Sequence, residues 1–252
     1  MRDTATMRGY ESTSYGDGFA DVYDDWYGDV TDVDATVARM LALAGVAGKV
    51  LELGVGTGRL AVPMHEAGLT VTGVDSSSAM LEQLAERDPG GNVESIAGDM
   101  VDDLPPGPFD AALVAYNTLF NLLGDDAQAQ CFQAVATRLT PGGYFVVEAF
   151  VPDAEQSSGS DVSVRSMDVG RVVLSVSRNT PEDQQASGQF VEFTEAGGVR
   201  LRPWSVRWAT VAQLDAMAAA AGFEVEERQG SMAGDPFTDD STQHVTVYRR
   251  TS

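Results

Sequence analysis

Positive charge is what this chain has least of. Lys49 is its only lysine, and sixteen basic residues in all face thirty-eight acidic ones, for a net charge of −22. Such a surface repels a phosphate backbone, whose binding draws mainly on Lys and Arg, so nucleic acid is not an expected partner. The acids are spread along the chain, which reads as a solvated surface. Cysteine is just as scarce. Cys131 alone cannot form an intrachain disulfide, and beside Phe132 in an amphipathic stretch it reads as a small buried hydrophobe rather than a nucleophile. The only histidines are His65 and His244, and no His/Cys/carboxylate cluster has ligand spacing, so no metal is expected. No apolar run is long enough to span a bilayer, and the opening MRDTATMRGY lacks the apolar region of a secretory signal. These absences leave a cytoplasmic protein as the expectation. With 252 residues and 43% hydrophobic content, one domain with a sizeable core and an insertion is the natural reading.

The most informative stretch is VLELGVGTGRL, Val50 to Leu60. Val50 to Leu53 reads as a buried strand. Gly54, Gly56 and Gly58 follow at alternate positions, and Arg59 to Met64 looks like the opening of a helix. A strand that breaks into glycines and resumes as a helix lets a ligand touch bare backbone, and the free N–H groups at the helix start favour an electron-rich ligand. The dinucleotide fingerprint wants its third glycine one place later, where Arg59 stands, and here an acid, Glu52, precedes the first glycine by two. A second strand, Leu69 to Val74, ends in Asp75, at the offset where an acid meets ribose hydroxyls in nucleotide-binding α/β folds.

Through Val50, Leu51, Glu52, Leu53, Gly54, Gly56 and Gly58 the glycine stretch resembles the first motif of the class I S-adenosylmethionine (SAM)-dependent methyltransferases, which implies that Glu52 to Arg59, Val55 and Thr57 included, hold the cofactor. The resemblance implies a Rossmann-like α/β fold: a seven-stranded sheet with helices on both faces, with SAM as cofactor. It implies that Ser76 and Met80 line the adenosine pocket, that Asp99 faces the adenine amine and that Met100 packs on the ring. FDAALVA, ending at Ala115, resembles the family's fourth strand; Ala115, Tyr116, Asn117 and Phe120 then border the sulfonium centre and the methyl acceptor. LTPGGYFVVE, Leu139 to Glu148, resembles the segment leading into the fifth strand, which a dehydrogenase does not need.

Before this core, residues 1–44 form a lid. Residues 1–17 are polar and read as mobile. Phe19, Val22, Tyr23, Trp26 and Tyr27 recur at helical spacing, and the resemblance implies that Tyr23 and Tyr27 cover the site. Thr31 to Ala44 reads as a helix capped by Thr31. After the core (45–150), residues 151–208 alternate apolar and polar with period two, the pattern of an antiparallel meander, and hold six arginines in an acidic protein. This β insertion has two open readings, a substrate cover like those of the aminodeoxysugar N-methyltransferases or a homodimer surface. Residues 209–252 return to the core sheet: a helix with a Thr210/Gln213 capping box, then strands Phe223 to Arg228 and His244 to Arg249, the last antiparallel in the resembled family.

A sulfonium methyl is already activated, so alignment of the acceptor supplies most of the acceleration, and a base helps when the acceptor must lose a proton. His244, Tyr116 and Glu148 are the candidate bases. The expected activity is methyl transfer to an amine or hydroxyl of a small molecule, a secondary metabolite or sugar. An NAD(P)-dependent oxidoreductase and a non-catalytic SAM-binding partner subunit are the competing readings.

Overall fold

The computed structural model describes residues 7–28, 30–153 and 157–251. Its eleven strands are Lys49–Leu53 (β1), Thr70–Asp75 (β2), Glu94–Ala97 (β3), Phe109–Val114 (β4), Leu139–Phe150 (β5), Gly159–Met167 (β6), Arg171–Thr180 (β7), Gln185–Thr194 (β8), Val199–Arg207 (β9), Phe223–Gln229 (β10) and Gln243–Arg250 (β11). The α-helices are Ser14–Phe19 (α1), Tyr23–Tyr27 (α2), Val33–Ala44 (α3), Ala61–Glu66 (α4), Ser78–Arg87 (α5), Ala127–Ala136 (α6) and Val211–Ala220 (α7).

Seven strands form one sheet in the order β3-β2-β1-β4-β5-β11-β10. The β1, β2, β3, β4 and β5 pairings are parallel, and β11 runs antiparallel to both β5 and β10. The strands are apolar because both faces are covered. Val50, Ala111, Leu113 and Val146 pack with Met40 of α3 and Met64 of α4 on one face. Leu51, Ala112, Phe145 and Tyr248 pack with Phe132 of α6 and Leu214 of α7 on the other. Cys131 lies fully buried in that second layer, where burial pushes its thiol up to about 12. Chain order reverses between β1 and β4, so their carboxyl ends open a crevice at the switch point.

The four-stranded antiparallel sheet β6-β7-β8-β9 is the predicted meander. The Thr210/Gln213 capping box also forms as read.

Four local expectations need correction. Asp32, not Thr31, caps α3, accepting from the Ala35 N–H; Thr31 turns inward and its hydroxyl donates to Glu148 Oε2 at 3.4 Å. The aromatic lid is two short helices rather than one, because Arg202 captures the Gly18 carbonyl (2.6 Å) and the Val22 N–H turns back to Phe19. The segment before Phe19 is held rather than loose from Met7 onward: α1 starts at Ser14, and the Ser76 hydroxyl donates to the Ser12 carbonyl. Residues 1–6, part of the same expectation, lie outside the described residues. Finally, β5 begins at Leu139, ahead of the Pro-Gly-Gly turn, by pairing with Phe109 across an irregularity in the ladder.

Candidate active site

The loop from Gly54 to Gly58 turns through three left-handed glycines. Gly54 is the tightest of them: a Cβ there would lie 2.3 Å from the Thr118 methyl, so the loop can lie against the segment after β4 only without a side chain. The Gly54 and Val55 N–H groups both donate to the Val74 carbonyl, which closes the bend onto β2. Asp75, at the end of β2, accepts from the Gly56 N–H (2.9 Å) and the Ser77 N–H (2.9 Å). Burial raises its pKa and these bonds oppose the rise.

Over this loop sits a cleft of two joined compartments that share Tyr23, Gly54, Gly56 and Thr118. The larger holds about 710 Å3 of free space, counting its mouth, and the smaller about 310 Å3. That range suits a nucleoside-sized ligand. Asp75, Ser76, Met80, Asp99 and Met100 border the larger compartment, and Glu52, Val55, Thr57, Arg59, Ala115 and Tyr116 the smaller, so most of the residues singled out in the sequence converge here. Asp99 is steered by the Val101 N–H, which donates to its Oδ1 at 2.7 Å, and the Cys131 thiol sits behind Met100, 3.8 Å from its carbonyl.

The smaller compartment holds two buried charges with unused hydrogen-bonding capacity. Among the described residues, Glu52, 3% exposed, has no partner for its Oε2, and Arg59, 9% exposed, has none for its Nε and Nη1. Burial pushes Glu52 up to about 8, against the pull of the Arg59 charge. A free amino acid end, with an ammonium for Glu52 and a carboxylate for Arg59, is the chemistry that these orphaned atoms match.

Six predicted residues do not line the cleft. Gly58 lies under it against Leu84. Phe120 is fully buried and meets Phe150 edge to face. Asn117 is structural: its side chain accepts from the Phe150 N–H and, like Tyr116, it has a positive φ. Glu148 lies behind Tyr116, whose backbone N–H donates to its Oε2 at 2.9 Å; burial raises its pKa and that bond lowers it. Tyr27 packs between Tyr23 and Tyr116, with ring centroids 5.2 and 5.8 Å away. His244 is fully buried at the end of β11, its Nδ1 2.9 Å from the Thr246 hydroxyl, and burial pushes it down to about 4.

Sequence reading missed the floor of the lid. Tyr15 and Gly16 of α1 border the cleft, and Gly16 packs so closely on α5 that a Cβ would lie 2.3 Å from that of Ser77. The signal was present: aromatics recur every fourth residue from Tyr15 through Phe19 and Tyr23 to Tyr27, one step earlier than the run considered. Asn121 and Leu122 were also missed, being of ordinary type after an irregular turn. Tyr15, Tyr23, Tyr27 and Tyr116 form one cluster of phenols, all raised in pKa chiefly by burial, Tyr23 to about 12.

Residues 50–143 match the family model described as a methyltransferase domain. The chain is 30% identical over 204 residues to the cypemycin N-terminal methyltransferase of a Streptomyces species, a match spanning 80% of this chain and 82% of that one. The CcbJ methyltransferase from Streptomyces caelestis superposes with a TM-score of 0.88 at 38% identity, over 96% of this chain and 100% of that one. CalS10, an amino pentose methyltransferase from Micromonospora echinaspora solved with SAM bound, shares the fold at 23% identity and a TM-score of 0.69, over 91% and 97% of the two chains. The oxidoreductase and partner-subunit readings are therefore set aside. With its glycine turn, its acid at the end of β2 and its relatives along most of its length, the chain belongs to the SAM-dependent methyltransferases.

Proposed function

We propose that the enzyme methylates an amine nitrogen of a small natural product. One observation carries the choice of nitrogen over oxygen: phenols line the cleft, and its carboxylates, Glu52, Asp75 and Asp99, are taken up by the cofactor. Of the three candidate bases only Tyr116 lines it, and burial keeps that phenol protonated at neutral pH. Glu148 is occupied by the Tyr116 N–H and by Thr31, and His244 borders neither compartment. A neutral amine already presents a lone pair and needs only alignment, whereas a hydroxyl needs a base. The name of the cypemycin N-terminal methyltransferase supports the same choice.

When bound, SAM supplies the sulfonium-activated methyl group. Around it, Arg59 and Glu52 hold the amino acid end, Asp75 the ribose, and Asp99 with Met100 the adenine. Glu148 is a positioning residue that fixes the left-handed turn at Tyr116 and Asn117. Tyr23 and Tyr116 receive the acceptor, with Tyr27 packed behind them.

The test is a matched panel: amino sugars and peptides with a free N-terminus beside their hydroxy analogues, with SAM, read by mass spectrometry for one added methyl. Product is expected from amines only. Hydroxyl analogues methylated at comparable rates would overturn the choice.

The insertion serves both of its readings, one on each face. Its inner face carries Phe190, Trp204 and Arg202 against the lid. Its outer face exposes Val162, Val164, Phe193 and Leu201 in adjoining rows, at 43–65%. These rows carry no charge in a chain of −22, so a second copy can approach there without like-charge repulsion. The reading is therefore a homodimer through this face, checked by light scattering of the wild type and of Val164→Lys with Leu201→Lys. A dimer that survives both substitutions rules the face out.

A further inference from the structure

Most of the insertion's arginines are neutralised by carboxylates. Arg171 pairs with Glu192, Arg200 with Asp21, Arg202 with both, and Arg207 with Asp125. Of the other two, Arg165 and Arg178, only Arg165 reaches the rings of the lid. Among the described residues no carboxylate pairs with it, and its guanidinium lies instead over three rings: 4.7 Å from the centroid of Trp26, 4.8 Å from Phe190 and 5.2 Å from Tyr27.

It sits at a backbone irregularity. Val164 pairs with Leu174 and Ser166 with Val173, so Arg165 is the extra residue of a β-bulge in β6. Val164 is on the exposed outer face, so strand alternation puts the next side chain on the inner face, where the rings are, and the bulge leaves that residue without a partner in β7. Bulges are common beside functional sites. Tyr27 in turn packs on Tyr116, which lines the cleft. The charge of Arg165 is felt at both phenols, where it opposes the rise caused by burial. An unpaired cation thus stands one ring beyond the methyl-transfer compartment. A guanidinium stacked on aromatic faces keeps its edge N–H groups free, in the fork that fits a carboxylate or phosphate.

We infer that Arg165 is an oxyanion-binding subsite for the acceptor, so that the preferred substrates carry a carboxylate or phosphate beyond the amine. This rests on the acceptor-side reading of the tyrosine cluster above. It also answers a problem of charge: a surface of −22 repels an anionic acceptor, and a local cation at the mouth offsets that repulsion.

The test uses the full chain saturated with S-adenosylhomocysteine and titrated calorimetrically with pyrophosphate and, separately, citrate. The two arms separate phosphate from carboxylate preference. Millimolar or tighter binding of at least one anion is expected, weakened tenfold or more in Arg165→Gln and partly restored in Arg165→Lys, with adenosylhomocysteine affinity unchanged in all three. In turnover, an amine bearing a carboxylate should outperform its amide in the wild type and lose that advantage in Arg165→Gln. Equal anion binding in Arg165→Gln, or binding of neither anion to the wild type, overturns the subsite. Absence of product from every amine while the anions still bind Arg165-dependently would sink the amine reading and leave the subsite standing.

Discussion

Two clusters of buried charge invite comparison. In the insertion, Arg202 has 2% side-chain exposure and every bond it can use is spent: on Glu192, on Asp21 and on the Gly18 carbonyl. Burial pushes Glu192 up, but the Arg202 and Arg171 contacts outweigh it and hold the carboxyl below its usual range. In the core, Glu52 and Arg59 are buried to a similar degree yet leave Oε2, Nε and Nη1 unpartnered, and Glu52 is pushed up to about 8. The first cluster is a closed clasp between lid and insertion. The second is open, and its unused atoms face the cleft. Buried charge is costly either way, so whether its valences are filled from within separates a structural clasp from a binding site.

Breaking the clasp should have the largest effect. Arg202→Met leaves Glu192 to Arg171 alone and Asp21 to Arg200 alone, and a loss of about 3 kcal/mol is expected, lowering Tm by roughly 6 °C or more in a thermal melt. If cofactor affinity fell while Tm held, the two clusters would have been assigned the wrong way round. Arg59→Met is the converse. Loss of a charge-assisted contact of about 2 kcal/mol predicts roughly 30-fold weaker adenosylhomocysteine binding by calorimetry, with the Tm of the free enzyme unchanged or higher.

The pH dependence sharpens the comparison further. Glu52 titrates near its ordinary 4.5 when unfolded and near 8 when folded and free. Between those values the folded state holds a proton that the unfolded state has lost, so stability falls as pH rises through that window. An ammonium beside Glu52 favours the ionised form, so ligand binding should release a proton and tighten between about pH 6 and 8, by about 1 kcal/mol per pH unit at most. Titrations in buffers of different ionisation enthalpy measure the proton, and Glu52→Gln should abolish both its release and the slope. The smallest effect belongs to the clasp's rim. Arg200, at 51% side-chain exposure, pairs with Asp21, and Arg200→Ala should cost under about 0.5 kcal/mol in urea unfolding.

The order of elements was legible wherever a periodic pattern filled a whole element. The strands around the glycine turn, the meander and the α7 capping box needed only neighbours in sequence. The cofactor side was legible for the same reason: Glu52 to Arg59 is one continuous loop. The acceptor side was not. Asn121 and Leu122 come to the cleft from the turn after β4, far in sequence from Tyr15 of the lid, and nothing local marks them. Thr31 looked like a cap because its type suits one, and only the presence of Glu148, 117 residues away, turns it inward.

By itself the sequence determined the glycine bend, the acids at the ends of β1 and β2 and the two sheet types. All of these follow from short-range spacing and from which side chains alternate. Only the tertiary structure decided which charges stay unpaired. Arg59 and Arg202 are the same residue type in the sequence; one has no carboxylate bonded to it among the described residues, and the other has two. A buried charge is answered by whatever the fold brings within hydrogen-bonding reach, and that reach spans 181 residues between Arg202 and Asp21.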